Sequence, residues 1–274
     1  MSDFMIGAGG KTISSGSGSV STGTTITSSA SADTMGTIVE LIASTSVDAV
    51  GITISTTEAS ASANAEWLMD ILIGASTEEP LVEGLLWFWD SLRTIRCHNT
   101  WFFPVHVPKG SRIAAQVQNS NAAADSVDIV VQLHTGSFES GPGYGKIVSL
   151  GMDYANSTSS IIPDGGAVAN TQGTPVQIEA SCPGYEGFSL SMGVNADFGR
   201  ANASYLIEIK IDSSTPQVLV PDIYASETSG ELHMSSTQWF PIKIPEGSAL
   251  YVSIQSTSTN ATDRIKSIIF HGAR

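Results

Sequence analysis

The chain says nearly the same thing twice, its second half repeating its first at a shift of 137 residues. Trp101-Phe102-Phe103-Pro104-Val105-His106-Val107-Pro108-Lys109-Gly110-Ser111 returns as Gln238-Trp239-Phe240-Pro241-Ile242-Lys243-Ile244-Pro245-Glu246-Gly247-Ser248. Gly36-Thr37-Ile38-Val39-Glu40-Leu41-Ile42-Ala43-Ser44 returns as Gly173-Thr174-Pro175-Val176-Gln177-Ile178-Glu179-Ala180-Ser181 at the same shift, and Trp67 to Ile73 returns as Tyr205 to Ile211 one residue off. Three blocks in one order at nearly one spacing imply two copies of one domain. The positions kept are turn prolines, a turn glycine and alternating apolar residues, so what survived duplication is a scaffold. No reactive group stands out among them.

At 274 residues the chain has room for two compact domains, each long enough to bury its own core. Charged residues are only 14% of the chain and the net charge is −14. The excess of acid is spread over both halves: 13 acids face 5 bases in residues 1–137, and 13 face 7 in residues 138–274. A nucleic-acid partner needs clustered Lys and Arg to neutralise phosphates, so this distribution speaks against one. A run of about 18 apolar residues is absent, as is a basic segment leading into an apolar one, so neither a membrane span nor a secretory signal is expected. Synthesis in a cytosol is expected.

The period within each copy is two. Trp67, Met69, Ile71 and Ile73 alternate with Leu68, Asp70 and Leu72, and Tyr205, Ile207, Ile209 and Ile211 alternate with Leu206, Glu208 and Lys210, which is the pattern of strands with one face buried. Val105 to Val117 and Ile242 to Ile254 continue it, with Pro108-Lys109-Gly110 and Pro245-Glu246-Gly247 as tight turns between paired strands. Val127, Ile129, Val131 and Leu133 form a last strand, matched in the second copy by one ending at Ile268 and Phe270. Leu81 to Arg96 is the one stretch whose apolar spacing, through Leu85, Leu86, Phe88, Trp89 and Leu92, could support a turn or two of helix. Counting turn to turn predicts an all-β chain of two tandem jelly-roll-like β-sandwich domains from an internal duplication. The boundaries read as a Gly/Ser/Thr-rich N-terminal arm at 1–35, a first sandwich at 36–136, a linker at 137–156 and a second sandwich at 157–274. The arm is too poor in large side chains to form a core. It is read as leading into a strand near Thr24 to Ser28, and an arm of this kind can order on a neighbouring subunit.

Candidate chemistry is sparse. Asp70 and Glu208 are the clearly duplicated strand acids, and they alternate with core residues, so they read as solvated positions. They also lie in different domains, whereas glycoside hydrolysis needs two carboxylates about 5–10 Å apart across one cleft. His134 and His271 fall at equivalent strand ends with no short-spaced companions, so hydrogen bonding is expected of them rather than metal ligation. His98, His106 and His233 stand singly, away from any nucleophile signature. Cys97 and Cys182 are not duplicated with the domain and read as free, structural thiols. Gly9-Gly10-Lys11-Thr12 and Gly141 to Lys146 lack the phosphate-loop spacing. Asn156, Asn202 and Asn260 open Asn-x-Ser/Thr triplets that a Ser/Thr-rich chain forms by chance. No catalytic residue, metal site or cofactor is therefore assigned.

The copies also differ. Gly84-Leu85-Leu86-Trp87-Phe88-Trp89 stands where the second copy has Pro221-Asp222-Ile223-Tyr224-Ala225-Ser226, so an aromatic cluster marks one side only. Trp87, Phe88 and Trp89 are the candidate protein-interface residues, with completion of the domain core as the competing role.

The sequence of aromatic, Pro, alternating apolars, Pro-x-Gly-Ser and a strand ending in Gln118 or Gln255 resembles β-rich jelly-roll virion structural proteins of tailed bacteriophages. The resemblance covers Trp101 to Gly136 and its copy. It implies a head decoration (cement) protein that stabilises the particle lattice, or a tail or baseplate component, and it carries over no catalytic residues. The partners it implies are other virion proteins, chiefly the major capsid protein, and further copies of the chain in a symmetric oligomer such as a trimer. An alternative of another class is a tandem carbohydrate-binding module presenting Trp87, Trp89, Trp101 and Trp239 to a host-surface glycan.

Overall fold

A computed structural model describes residues 12–14, 23–60, 65–74, 77–89, 99–136, 144–155, 161, 163, 165, 168–192, 203–212, 216–228, 231–232, 236–258 and 268–274. Cys97, His98, His233 and the three Asn-x-Ser/Thr asparagines lie outside them. The described elements are all strands, seventeen of them. They fall into two units, Met1–Val148 with Ala273–Arg274, and Ser149–Gly272.

The first unit holds β1 (Thr12–Ser14), β2 (Thr24–Thr27), β3 (Val39–Ile42), β4 (Gly51–Ser60), β5 (Ala65–Ile73), β6 (Glu79–Trp89), β7 (Thr100–Phe103), β8 (Ile113–Asn119) and β9 (Ser126–His134). One sheet runs β2-β9-β4-β7 and the other β6-β5-β8-β3. Eight strands divided four and four between two sheets in this order make a jelly roll. Alternation along β9 explains the core: Val127, Ile129, Val131 and Leu133 are buried while the residues between them are half-exposed. The strand expected near Thr24 is β2, and it pairs with β9 from Thr24↔Ile129 to Thr27↔Ser126. β1 pairs with the next stretch of the same strand, Thr12↔His134 to Ser14↔Gln132.

The second unit repeats the plan. β10 (Ile147–Leu150) begins in the first unit, where Ile147 pairs with Val82, and ends in the second. β11 (Val176–Glu179), β12 (Gly187–Met192), β13 (Ala203–Ile211), β14 (Gln217–Thr228), β15 (Glu231–Leu232), β16 (Leu250–Ser256) and β17 (Ile268–Ala273) follow. One sheet runs β11-β16-β13-β14-β15, while β17 lies between β10 and β12 in the other. Phe188↔Phe240 and Ser191↔Ser236 bridges supply the fourth position beside β12.

The duplication reaches down to irregularities. β3–β8 skips a residue between Glu40 and Ile42, and β11–β16 skips one between Gln177 and Glu179. β5–β6 bulges between Met69 and Ile71, β13–β14 between Ile207 and Ile209. Backbone donors agree as well: Gly36 N–H reaches Val117 O and Gly173 N–H reaches Ile254 O, Gly110 N–H reaches Thr45 O and Gly247 N–H reaches Cys182 O. Left-handed residues recur at Asp33 and Asn170, at Gly84 and Asp222, and at Gly110 and Gly247. The turn glycines, at φ 86° and 83°, adopt the value that a type II turn requires at its third position.

Two expectations are corrected. Glu79–Trp89 is strand, with no helical turn among the described residues of Leu81 to Arg96. Its apolar residues are continuous because Leu81, Val82, Leu85, Leu86 and Trp87 are all buried, so both faces of the strand are covered and the period of two disappears. The segment 137–156 contains β10 and is more than a linker. Gly10-Lys11-Thr12-Ile13-Ser14-Ser15-Gly16 matches Gly145-Lys146-Ile147-Val148-Ser149-Leu150-Gly151 at a shift of 135, so β1 and β10 are copies, each beside the last strand of its jelly roll.

Candidate functional site

The aromatic residues singled out in sequence belong largely to the core. Trp67 and Trp87 face each other across β5 and β6 with ring centroids 5.7 Å apart and planes 10° apart, and Trp101 on the opposite sheet meets Trp87 edge-on at 6.0 Å. All three are at most 2% exposed. Trp87 therefore joins the two sheets and is not available as an interface residue; rings of this size each bury enough apolar area to dominate a small core. Phe88 and Trp89 belong to β6, and their side chains lie outside the described residues. Trp239 is 6% exposed, so three of the four tryptophans proposed as a glycan platform are buried.

In the second unit Tyr205 and Ala225 replace the stacked pair, and aromatic volume moves along the sandwich. Phe188 stacks on Phe270 at 4.7 Å and tilts against Phe240 at 5.2 Å, while Tyr185 lies 5.4 Å from Phe270.

The duplicated acids brace bulges. Asp70 sits opposite Glu83 and Gly84, the two residues of the β6 bulge. A bulge leaves a backbone group without its ladder partner, and Asp70 Oδ1 accepts the Gly84 N–H at 2.9 Å while Oδ2 accepts Gln116 Nε2 at 3.0 Å. Asp70 is 6% exposed, so the expectation of a solvated strand acid is overturned there. Glu208 stands at the matching bulge opposite Pro221 and Asp222. Glu208 is paired there with Lys210 at 2.8 Å. Burial raises the pKa of Glu83, opposed by Lys146.

The two histidines are hydrogen-bonded, as their positions suggest. His134 Nε2 meets Thr53 Oγ1 at 2.7 Å. His271 is fully buried between Ser149, 2.6 Å from Nδ1, and Ser191, 2.7 Å from Nε2. Burial disfavours a charge there and pushes the His271 pKa down to about 3. Cys182 is free and buried, and desolvation holds its thiol up at about 11, too high for a nucleophile at neutral pH.

The outer faces of the equivalent sheets differ most. In the first unit Leu68, Leu72, Leu86 and Gln118 on β5, β6 and β8 are all buried. Their counterparts Leu206, Lys210, Tyr224 and Gln255 line a face that is open to solvent, where Tyr224 is 54% and Val218 48% exposed. A cleft of about 180 Å³ lies on it, walled by Asn170, Ser204, Leu206, Tyr224, Gln255 and Thr257. Sequence comparison of the copies marked the aromatic cluster on the first side and passed over Tyr224 on the second. The usable signal was Leu72 between the alternating residues of β5, where β13 has Lys210. In the first unit a groove of about 500 Å³ between Thr25–Ser29 and Met35–Val39 is walled mainly by hydroxyls and backbone.

No family model matches the chain, and no curated protein matches it. Solved structures similar to it include the N-terminal CBM22-1–CBM22-2 tandem domain of Xyn10C from Paenibacillus barcinonensis, 10% identical, covering 97% of this chain and 92% of that one with a TM-score of 0.27. Another is the STIV MCP, a viral major capsid protein, 8% identical, covering 92% of this chain and 96% of that one with a TM-score of 0.36. Likenesses this distant carry no weight for function.

Proposed function

We propose that the chain is a non-enzymatic structural component of a virus particle, in the first place a capsid decoration protein of a tailed bacteriophage that stabilises the lattice through protein–protein contacts. One observation carries this reading: the two copies keep the same bulges, left-handed residues and turn bonds while their side chains have diverged. Selection that preserves backbone shape and lets reactive groups drift is what a building block experiences. Two jelly rolls of one topology also place two related surfaces on each chain, which suits attachment to a repeating array. The partners proposed are the major capsid protein and further copies of the chain in a closed symmetric oligomer such as a trimer. A tail or baseplate position is the nearest variant of the same reading.

Quantitative mass spectrometry of purified particles tests it. Copy numbers in fixed proportion to the major capsid protein support decoration, and a few copies per particle move the protein to the tail. Absence from particles removes both.

A further inference from the structure

We propose that the cleft beside Tyr224 is a binding site for a neutral saccharide. Tyr224 is the most exposed aromatic side chain among the described residues of the core sheets, yet it is not loose: its hydroxyl meets Ser204 Oγ at 3.2 Å. That bond lays the ring along the sheet, beside the β13 and β16 partners Leu206 and Gln255. A ring fixed at its tip and open on one face is a platform for the C–H face of a sugar, because an aromatic face carries negative electrostatic potential. Around it stand Ser204, Gln255, Thr257 and the exposed Asn170, groups that donate and accept hydrogen bonds without charge. Every residue lining the cleft is uncharged, on a chain whose net charge is −14.

Comparison with the first unit sharpens the chemistry. In the strand pairing, where Leu206↔Tyr224 takes the place of Leu68↔Leu86, the positions equivalent to Tyr224, Ser204 and Asn170 are Leu86, Glu66 and Asp33. Leu86 and Glu66 are buried. The second copy therefore differs by an exposed ring in place of a buried leucine, and by a hydroxyl and an amide in place of two carboxylates. Removing both acids excludes a cationic ligand as the best fit, and no base has replaced them to attract an anion. A hydroxylated, uncharged ring of about the cleft's size satisfies both conditions. The site is independent of the lattice reading, since particle copy number tests one and sugar binding the other.

The experiment presents the full chain to a printed array of neutral oligosaccharides, with sialylated and uronate-containing members alongside, and titrates the strongest ligand by calorimetry. Binding of a neutral member is expected, weakened at least tenfold by Tyr224→Ala and by Gln255→Ala. Tyr224→Phe, which keeps the ring, should hold affinity within a few-fold, and Val218→Ser on the same face outside the cleft should leave it unchanged. The proposal is overturned if no neutral member binds, if acidic members bind better, or if affinity survives Tyr224→Ala. A changed sedimentation mass for Tyr224→Ala would also overturn it, marking the face as a contact between copies.

Discussion

At the scale of single residues, the structure separates positions where space decides from positions where conformation decides. A Cβ on Gly272 would lie 2.3 Å from the Tyr185 ring, which is buried against Phe270 and has nowhere to go. Gly272→Ala should cost roughly 3 kcal/mol through overpacking. A Cβ on Gly110 meets open space, and only its φ of +86° resists substitution, so Gly110→Ala should cost about 1 kcal/mol. Calorimetric melting of the two variants checks the order. Asp70→Ala strips the acceptor from the Gly84 N–H and from Gln116, a loss of about 1–3 kcal/mol in denaturant unfolding. His271 adds a pH dependence. The unfolded chain takes up a proton near pH 6.5, whereas the folded chain resists until about pH 3. The stability this neutral histidine contributes is complete above pH 6.5 and drains away as pH falls toward 3. Melting temperatures between pH 7 and 4 should therefore fall less steeply in His271→Gln than in the parent chain; equal slopes would contradict the assignment.

At the scale of elements, legibility in sequence tracked how many faces a strand buries. β9 and β13 bury one face, so alternation placed them, and the proline–glycine turns placed β8 and β16 after them. β6 buries both faces, which erased the period and let it pass for helix, while β5, whose alternation read as one buried face, buries both. The bulge-bracing role of Asp70 was hidden for the same reason, since a bulge leaves no mark on an alternation counted by eye. The copied arm escaped notice because Gly-Lys-x-x-Ser is short and built of small residues. Its structural role is now testable: a chain beginning at Gly23 keeps β2 but loses β1, uncovering the edge of β9 at Gln132–His134. An uncovered edge invites pairing between molecules. Hydrogen exchange should quicken at the amides of Gln132–His134 that point toward β1, with those facing β4 still protected.

At the scale of the whole molecule, duplication was legible and its consequences for surface were not, because two copies of one backbone can bury different faces. The net charge of −14 keeps like molecules apart at neutral pH, and it vanishes near the sequence pI of about 4.5. Light scattering should show reversible association centred near that pH, diminishing on either side. A last feature concerns birth rather than assembly. Arg274 belongs to the first unit, where its backbone exchanges hydrogen bonds with Lys146 and accepts one from Gly145. A nascent chain cannot close that seam until residue 274 has cleared the ribosome, long after the rest of the first jelly roll has emerged. The opening module is thus the last to be completed, and translation that stalls within the second copy leaves the first one unsealed.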